Sequence, residues 1–322
     1  MNHLKKLTSG VHKKLSGSSD AEQKFKVPMH PLTRDPTKAW EKLKVKQIVK
    51  TLEPLDPGTP ISPDKIRFVF LSDTHSLVEK VDNFVPPGDV LLHAGDLTSV
   101  GLPKAIQDFD SFLARLPFKV KIVIAGNHDN TLDEEMVKNV NLLRTKFMIQ
   151  KHNFEDVLEE LGVKSSRELL KHCIYLMDSS IEICGIKIYG SPWQPEFCSW
   201  AFNLPRGEAC LEKWDLIPED TDILMTHGPP LGHGDLCSNK LRAGCVELLT
   251  TVQTRVKPKY HLFGHIHEGY GITTDGQTVF INGSNCTIAY KLKNKPIVFD
   301  FPIPKGHYKS ELDNLPVNNL QL

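Results

Sequence analysis

The residues that could do chemistry in this chain of 322 are carboxylates, imidazoles and one amide, each at the end of a short, mostly apolar run. Ile66–Leu71 is rich in β-branched and aromatic residues and stops at Ser72-Asp73-Thr74-His75. It reads as a buried strand that delivers a carboxylate and an imidazole at its C-terminal edge. The arrangement returns in His93-Ala94-Gly95-Asp96, Gly126-Asn127-His128-Asp129, Thr226-His227-Gly228 and Gly264-His265-Ile266-His267. A lone Asp-x-His is weak; the series makes the case. Asp73, His75, Asp96, Asn127, His227, His265 and His267 are too many ligands for one ion and suit two if a carboxylate bridges. Hard oxygens mixed with imidazoles, without cysteine, suit Mn²⁺, Fe or Zn²⁺ better than Ca²⁺ or a structural zinc cage, and Mn²⁺ is the expected ion. Two divalent ions about 3.5–4 Å apart can generate a bridging hydroxide and clamp two oxygens of a phosphate. Gly126 and Gly264 permit tight turns where the strands must release these side chains.

Apolar runs alternate with helical patterns, which indicates α/β architecture. Strands are expected at 66–71, 89–93, 119–125, 222–225, 260–263, 278–282 and 297–301, with helices at 103–116, through 133–170 and from Leu241 to Val256. The pair Ser180–Cys184 and Ile186–Tyr189 around Gly185 reads as a hairpin, so pairing is mixed. Two packed sheets flanked by helices therefore fit better than one doubly wound sheet. Residues 1–27 read as a basic disordered arm, and 28–64 as an extension with a helix over 37–52 and a Pro-rich linker. Residues 65–304 are the expected catalytic domain and 305–322 a loose tail.

Net charge is zero, with 39 basic and 39 acidic residues, so the whole chain carries no specific nucleic-acid signal. Residues 1–50 nevertheless hold 12 Lys plus Arg against four acids, which gives the arm weak attraction to acidic surfaces. Seven cysteines without a Cys-x-x-Cys read as reduced thiols, no apolar stretch reaches membrane-spanning length, and the expected location is the cytoplasm. His93 and His261 read as hydrogen-bonded core residues. His233, in Gly232-His233-Gly234-Asp235, is a candidate substrate contact or a solvated loop residue. Trp193, Phe197, Trp200 and Phe202 are either a base-stacking surface or a loop packed on the sheet.

The five ligand clusters, in this order over residues 65–300, resemble the calcineurin-like metallophosphoesterase family. Gly190-Ser191-Pro192-Trp193-Gln194-Pro195, Thr226-His227-Gly228-Pro229-Pro230 and His267-Glu268-Gly269-Tyr270-Gly271 narrow the resemblance to the metallophosphoesterase domain-containing (MPPED) subgroup, related to class III cyclic-nucleotide phosphodiesterases. The resemblance implies an αββα sandwich. It implies Asp73, His75, Asp96 and His267 on one metal, with Asp96 bridging to a second held by Asn127, His227 and His265. It puts His128 and Asn127 on the substrate, His128 stabilising the phosphoryl transition state or protonating the leaving oxygen. It implies a phosphodiesterase acting on nucleotide-type substrates. A phosphomonoesterase or phosphoprotein phosphatase with the same centre, or a nucleotide-binding scaffold with weak catalysis, are the alternatives.

Overall fold

The computed structural model describes residues 25–78, 81, 83–148 and 151–315. In chain order the first strands are β1 (Lys50–Leu52), β2 (Lys65–Leu71), β3 (Val90–Ala94), β4 (Val120–Ile124), β5 (Ile174–Tyr175), β6 (Ser179–Ile183) and β7 (Ile186–Ser191). There follow β8 (Gln194–Pro195), β9 (Asn203–Leu204), β10 (Ile223–Thr226), β11 (Tyr260–Phe263), β12 (Gly271–Thr274), β13 (Val279–Asn282) and β14 (Ile297–Pro302). The helices are α1 (Pro36–Leu43), α2 (Pro103–Arg115), α3 (Glu134–Lys138), α4 (Val140–Phe147), α5 (Lys151–Glu160), α6 (Glu208–Trp214) and α7 (Val246–Thr250).

Two mixed sheets form the centre, ordered β14-β2-β3-β4-β5 and β1-β12-β13-β11-β10-β7-β6. Side-chain alternation along a strand sends successive residues to opposite faces. Ile66, Phe68 and Phe70 of β2 accordingly meet Ile188, Met225, Leu262 and Ile281 of the other sheet in one apolar cluster. Val69 and Leu71 turn outward to Phe109 and Leu113 of α2. On the far side Leu224, Phe263 and Phe280 pack on Trp214 of α6 and Leu248 of α7. The expected four-layer sandwich is what forms. Runs β2-β3-β4 and β10-β11 are parallel, so their C-terminal ends open on one edge of the sandwich. That edge carries the ligand clusters.

Several local expectations are corrected. The helix expected over 37–52 stops at Leu43, and Gln47 is already extended at φ −97° and ψ 143°. Lys50–Leu52 instead pairs antiparallel with β12 as an edge strand, because the β-branched Ile48, Val49 and Thr51 favour extended backbone. The stretch 133–170 is broken: Asn139 ends α3 and its side chain caps α4 by accepting from the Leu142 N–H at 3.2 Å. The helix expected from Leu241 begins at Val246 and continues as a π-helical segment, Thr251–Val256, while Leu241 is exposed. The expected loose tail is held down as far as Asn314, where a 3₁₀ segment buries Leu312 and Lys309 pairs with Asp89 at 2.6 Å. Residues 1–24 of the basic arm and the last seven residues lie outside the described residues.

Candidate metal centre and substrate pocket

Each ligand cluster leaves its strand by a sharp turn, and four of the seven candidate ligands stand in left-handed backbone. The φ values are 52° at Asp73, 46° at His75, 54° at Asp96 and 66° at His265. A side chain with a Cβ costs about 1–3 kcal/mol in such a region, and the surroundings hold it there. The N–H groups of Thr74 and His75 both donate to the Asp96 carbonyl, at 3.0 and 3.1 Å. Gly264 is needed for space rather than for φ: a Cβ there would lie 2.0 Å from Asp73 Oδ2.

Donor atoms of Asp73, His75, Asp96 and His267 all lie within 4.8 Å of one another. His267 Nε2 is 3.3 Å from Asp73 Oδ1 and 3.2 Å from His75 Nε2, and His75 Nε2 is 3.7 Å from Asp96 Oδ2. On the other side of Asp96, its Oδ1 is 3.4 Å from His227 Nε2. His227 Nε2 and His265 Nδ1 both approach Asn127 Oδ1, at 2.9 and 2.7 Å. Asp96 thus turns one oxygen to each group of donors. The remaining ring nitrogens of His267 and His227 donate to the carbonyls of Thr287 (3.1 Å) and Ala94 (2.8 Å), which leaves both Nε2 atoms to face inward. Two buried carboxylates, an amide oxygen and four converging imidazoles are a donor set that fits divalent cations.

Burial depresses His75 to about 4 and His265 to about 3, which keeps both imidazoles neutral and able to donate lone pairs. Burial also opposes charge on His227 and His267, but Asp96 and Asp73 outweigh it and raise them to about 9 and about 8. Burial raises Asp73, and the hydrogen bond and charge of His267 overcome this and hold it well below the usual carboxylate range. The cluster is electrostatically a sink for positive charge.

Asp129 is not a ligand. Its carboxylate accepts from the N–H groups of Leu97 (3.1 Å), Thr98 (3.0 Å) and Gly126 (2.9 Å) and from the Thr98 hydroxyl (2.9 Å). It thereby staples the Asp96 turn to the Asn127 turn. Burial and the nearby Asp96 push its carboxyl up to about 6 against those donors.

His128 looks away from the donors. Its Nδ1 donates to the Ser99 carbonyl at 2.8 Å, and its Nε2 is 3.5 Å from the Tyr290 hydroxyl. The ring packs edge-on to His75 and lies 4.0 Å from the Trp200 ring. Asp96, Asn127, His128, His265 and His267 line a pocket of about 300 Å³ whose remaining wall includes Phe197, Cys237, Asn239, Glu268, Ile288 and Tyr290. No Lys or Arg lines it among the described residues.

Two candidate substrate contacts lie elsewhere. His233 is fully buried, stacked 3.7 Å from the Phe280 ring with Nδ1 on Thr273 Oγ1. Trp193 donates Nε1 to Asp178 at 2.9 Å and packs on Phe202 and the Lys213 ammonium. Of the four aromatics, Phe197 and Trp200 approach the site, through His265 and His128. His93 and His261 are buried and bonded to the hydroxyls of Thr74 (3.0 Å) and Thr226 (2.9 Å). Two further residues reach the site without a signal in the sequence: Tyr290, edge-on to His75 at 4.8 Å, and Ser284, whose hydroxyl donates to Asp73 Oδ2 at 2.9 Å. Both follow β13 in a segment without periodicity, and only contact in three dimensions reveals them.

Comparison with known proteins gives the family. Residues 66–269 match the calcineurin-like phosphoesterase family model. A UPF0046 protein of Caenorhabditis elegans is 49% identical over 280 residues, covering 86% of this chain and 70% of its own. Human metallophosphoesterase domain-containing protein 1 is 49% identical over 261 residues, covering 80% of this chain and 78% of its own. A 3′,5′-cyclic-nucleotide phosphodiesterase of Nostoc is 22% identical over 217 residues, covering 65% of this chain and 68% of its own. On the family match and on relatives at 49% identity over most of its length, the chain belongs to the calcineurin-like phosphoesterase family.

Proposed function

We propose that the chain is a phosphodiesterase that uses two divalent cations, Mn²⁺ by preference, on nucleotide-type diesters. The observation that carries this reading is the placing of His128 Nε2 on the pocket side of a donor cluster split about Asp96. Asp73, His75, Asp96 and His267 would hold one cation, and Asp96, Asn127, His227 and His265 the other. Bound cations of this kind neutralise phosphoryl oxygens and lower the pKa of an attacking water. The chain's own part is orientation and proton supply. The Ser99 carbonyl fixes the His128 ring, so that Nε2 is the atom that can hold a proton toward the leaving oxygen. Phe197, Ile288 and Tyr290 offer apolar surface to a base or other planar group. A pocket wall without Lys or Arg suits the single charge of a diester better than a polyphosphate. The name of the Nostoc relative supports cyclic nucleotides as the diester class.

We take residues 65–304 as the catalytic unit and the cytosol as its compartment. Seven cysteines, all free, support the latter, and no helix among the described residues is long and apolar enough to cross a membrane. The test is kcat/KM with Mn²⁺ on bis(p-nitrophenyl) phosphate and p-nitrophenyl phosphate, and on 3′,5′-cyclic AMP and 5′-AMP. Diesters should be turned over at least about tenfold better. Preference for monoesters would assign a phosphomonoesterase, and tight 5′-AMP binding without turnover of either class a nucleotide-binding scaffold.

A further inference from the structure

A second cavity, of about 250 Å³, shares no lining residue with the substrate pocket. It lies among α3, α5 and the 3₁₀ turn Ser166–Leu169, directly after the His128 turn in sequence. Its interior is apolar, with Leu132, Phe154 and Leu158 almost fully buried around it. Its edge is cationic: Lys138, Lys164 and Arg167 stand against one acid, Glu134. Two of these cations are already engaged. Lys138 pairs with Glu135 at 2.7 Å, and the Arg167 guanidinium lies 4.8 Å over the Tyr175 ring. Lys164 is exposed; its backbone N–H donates to the Glu168 carboxylate at 3.3 Å, and its ammonium is in no ion pair among the described residues.

Ser166 supplies the independent observation. It is fully buried, lines the cavity, and its hydroxyl has no hydrogen-bond partner among the described residues. Leaving a buried hydroxyl unsatisfied costs about 1–3 kcal/mol, so an oxygen acceptor at this point would be favoured. An acceptor that also carries negative charge would meet Lys164 in a charge-assisted hydrogen bond, roughly twice as strong as a neutral one. The apolar part of the wall is Leu132, Val137, Phe154 and Leu158. At about 30 Å³ each, the liquid-phase share of a water-sized group, the cavity holds about eight methylene-like groups.

We propose that this cavity binds an amphipathic monoanion, a medium-chain carboxylate. Its head would sit on Lys164 and the Ser166 hydroxyl and its tail between Leu132, Phe154 and Leu158. The proposal is independent of the phosphodiesterase reading, since it concerns a different cavity and binding rather than turnover.

The experiment is calorimetric titration of the full, Mn²⁺-loaded chain with sodium octanoate and with 1-octanol. One saturable octanoate site per chain is expected, with 1-octanol weaker by at least about tenfold because it lacks the charge. Lys164→Glu, a surface change that leaves the fold alone, should weaken octanoate at least about tenfold and leave 1-octanol unchanged. Leu158→Trp should fill the cavity and abolish both. The idea is overturned by non-saturable octanoate binding, or by 1-octanol binding as tightly as octanoate. It is also overturned by octanoate binding that Lys164→Glu does not change, which would mark the metal centre or an unspecific surface as its site.

Discussion

Asn127 and His128 are adjacent in sequence yet point to different places, and the backbone between them explains how. The His128 N–H donates to Asp96 Oδ1 at 2.8 Å, which anchors the turn while Asn127 reaches the imidazoles of His227 and His265. Removing the His128 side chain leaves that N–H in place. His128→Ala should therefore keep the metal content and slow turnover by about 10²–10⁴-fold, the usual worth of a positioned acid or base. The loss should be large for a ribose alkoxide, which needs a proton to depart, and small for a nitrophenolate, which does not. Measuring kcat on both diesters at saturating Mn²⁺ separates the roles: equal losses would leave only phosphoryl stabilisation, and lost metal would reject both. Asp129 works through others. In Asp129→Asn an amide NH₂ must face a backbone N–H that now finds an oxygen. The variant should lose about 1–3 kcal/mol of stability. It should also weaken metal affinity more than it changes KM, which titration of metal-free protein with Mn²⁺ would reveal; unchanged affinity would reduce Asp129 to a purely structural residue.

At the scale of elements, the strands that carry ligands are the ones the sequence announces most clearly. β2, β3, β4, β10 and β11 are buried almost throughout, so they appear as apolar runs with an abrupt polar end. Elements without such a run were hidden. β1 is exposed at all three residues and holds its place by pairing with β12, a partner more than 200 residues away. α6 has seven residues, too few for its period to show, and is fixed by the burial of Trp214. His233 and Trp193 lie away from the pocket for a related reason. Nearness in sequence to His227, or an aromatic type, says nothing of which face of a turn a side chain takes. Phe280 under the one and Asp178 beside the other decide that.

For the whole molecule, the described part of the N-terminal segment is built into the fold. Trp40 of α1 is buried against Leu231, Val246 and Leu249, and the Arg242 guanidinium lies 4.5 Å over its ring. A chain starting at Phe25 should keep kcat per molecule, because every candidate ligand lies at Asp73 or beyond. One starting at Glu53 should lose β1 and this apolar seat and melt at lower temperature, at about 3–5 kcal/mol for the Trp40 contact alone. Thermal melts and initial rates of the two truncations give the comparison, and a fall in kcat for the shorter deletion would show that the arm reaches the site.

The proposed cations should also bear on stability, because their candidate ligands come from both sheets. Asp73, His75, Asp96 and Asn127 follow strands of the five-stranded sheet, whereas His227, His265 and His267 follow strands of the seven-stranded one. A cation held across that edge ties the sheets together in the folded chain alone. Binding to the native state stabilises it by about 2.7 kcal/mol at a free concentration a hundredfold above Kd. The metal-free chain has two buried carboxylates side by side and offsets them by protonating His227 and His267, a poorer substitute than divalent charge. Chelation should therefore lower Tm, and re-addition of Mn²⁺ should restore it in proportion to metal bound. Asp96→Ala, which removes an oxygen from each group of donors, should abolish the Mn²⁺-dependent rise entirely, whereas His267→Ala should keep part of it. Scanning calorimetry with parallel metal analysis is the measurement. A Tm that stays fixed while both metals are lost would show that the two sheets do not need the cations to hold this edge together.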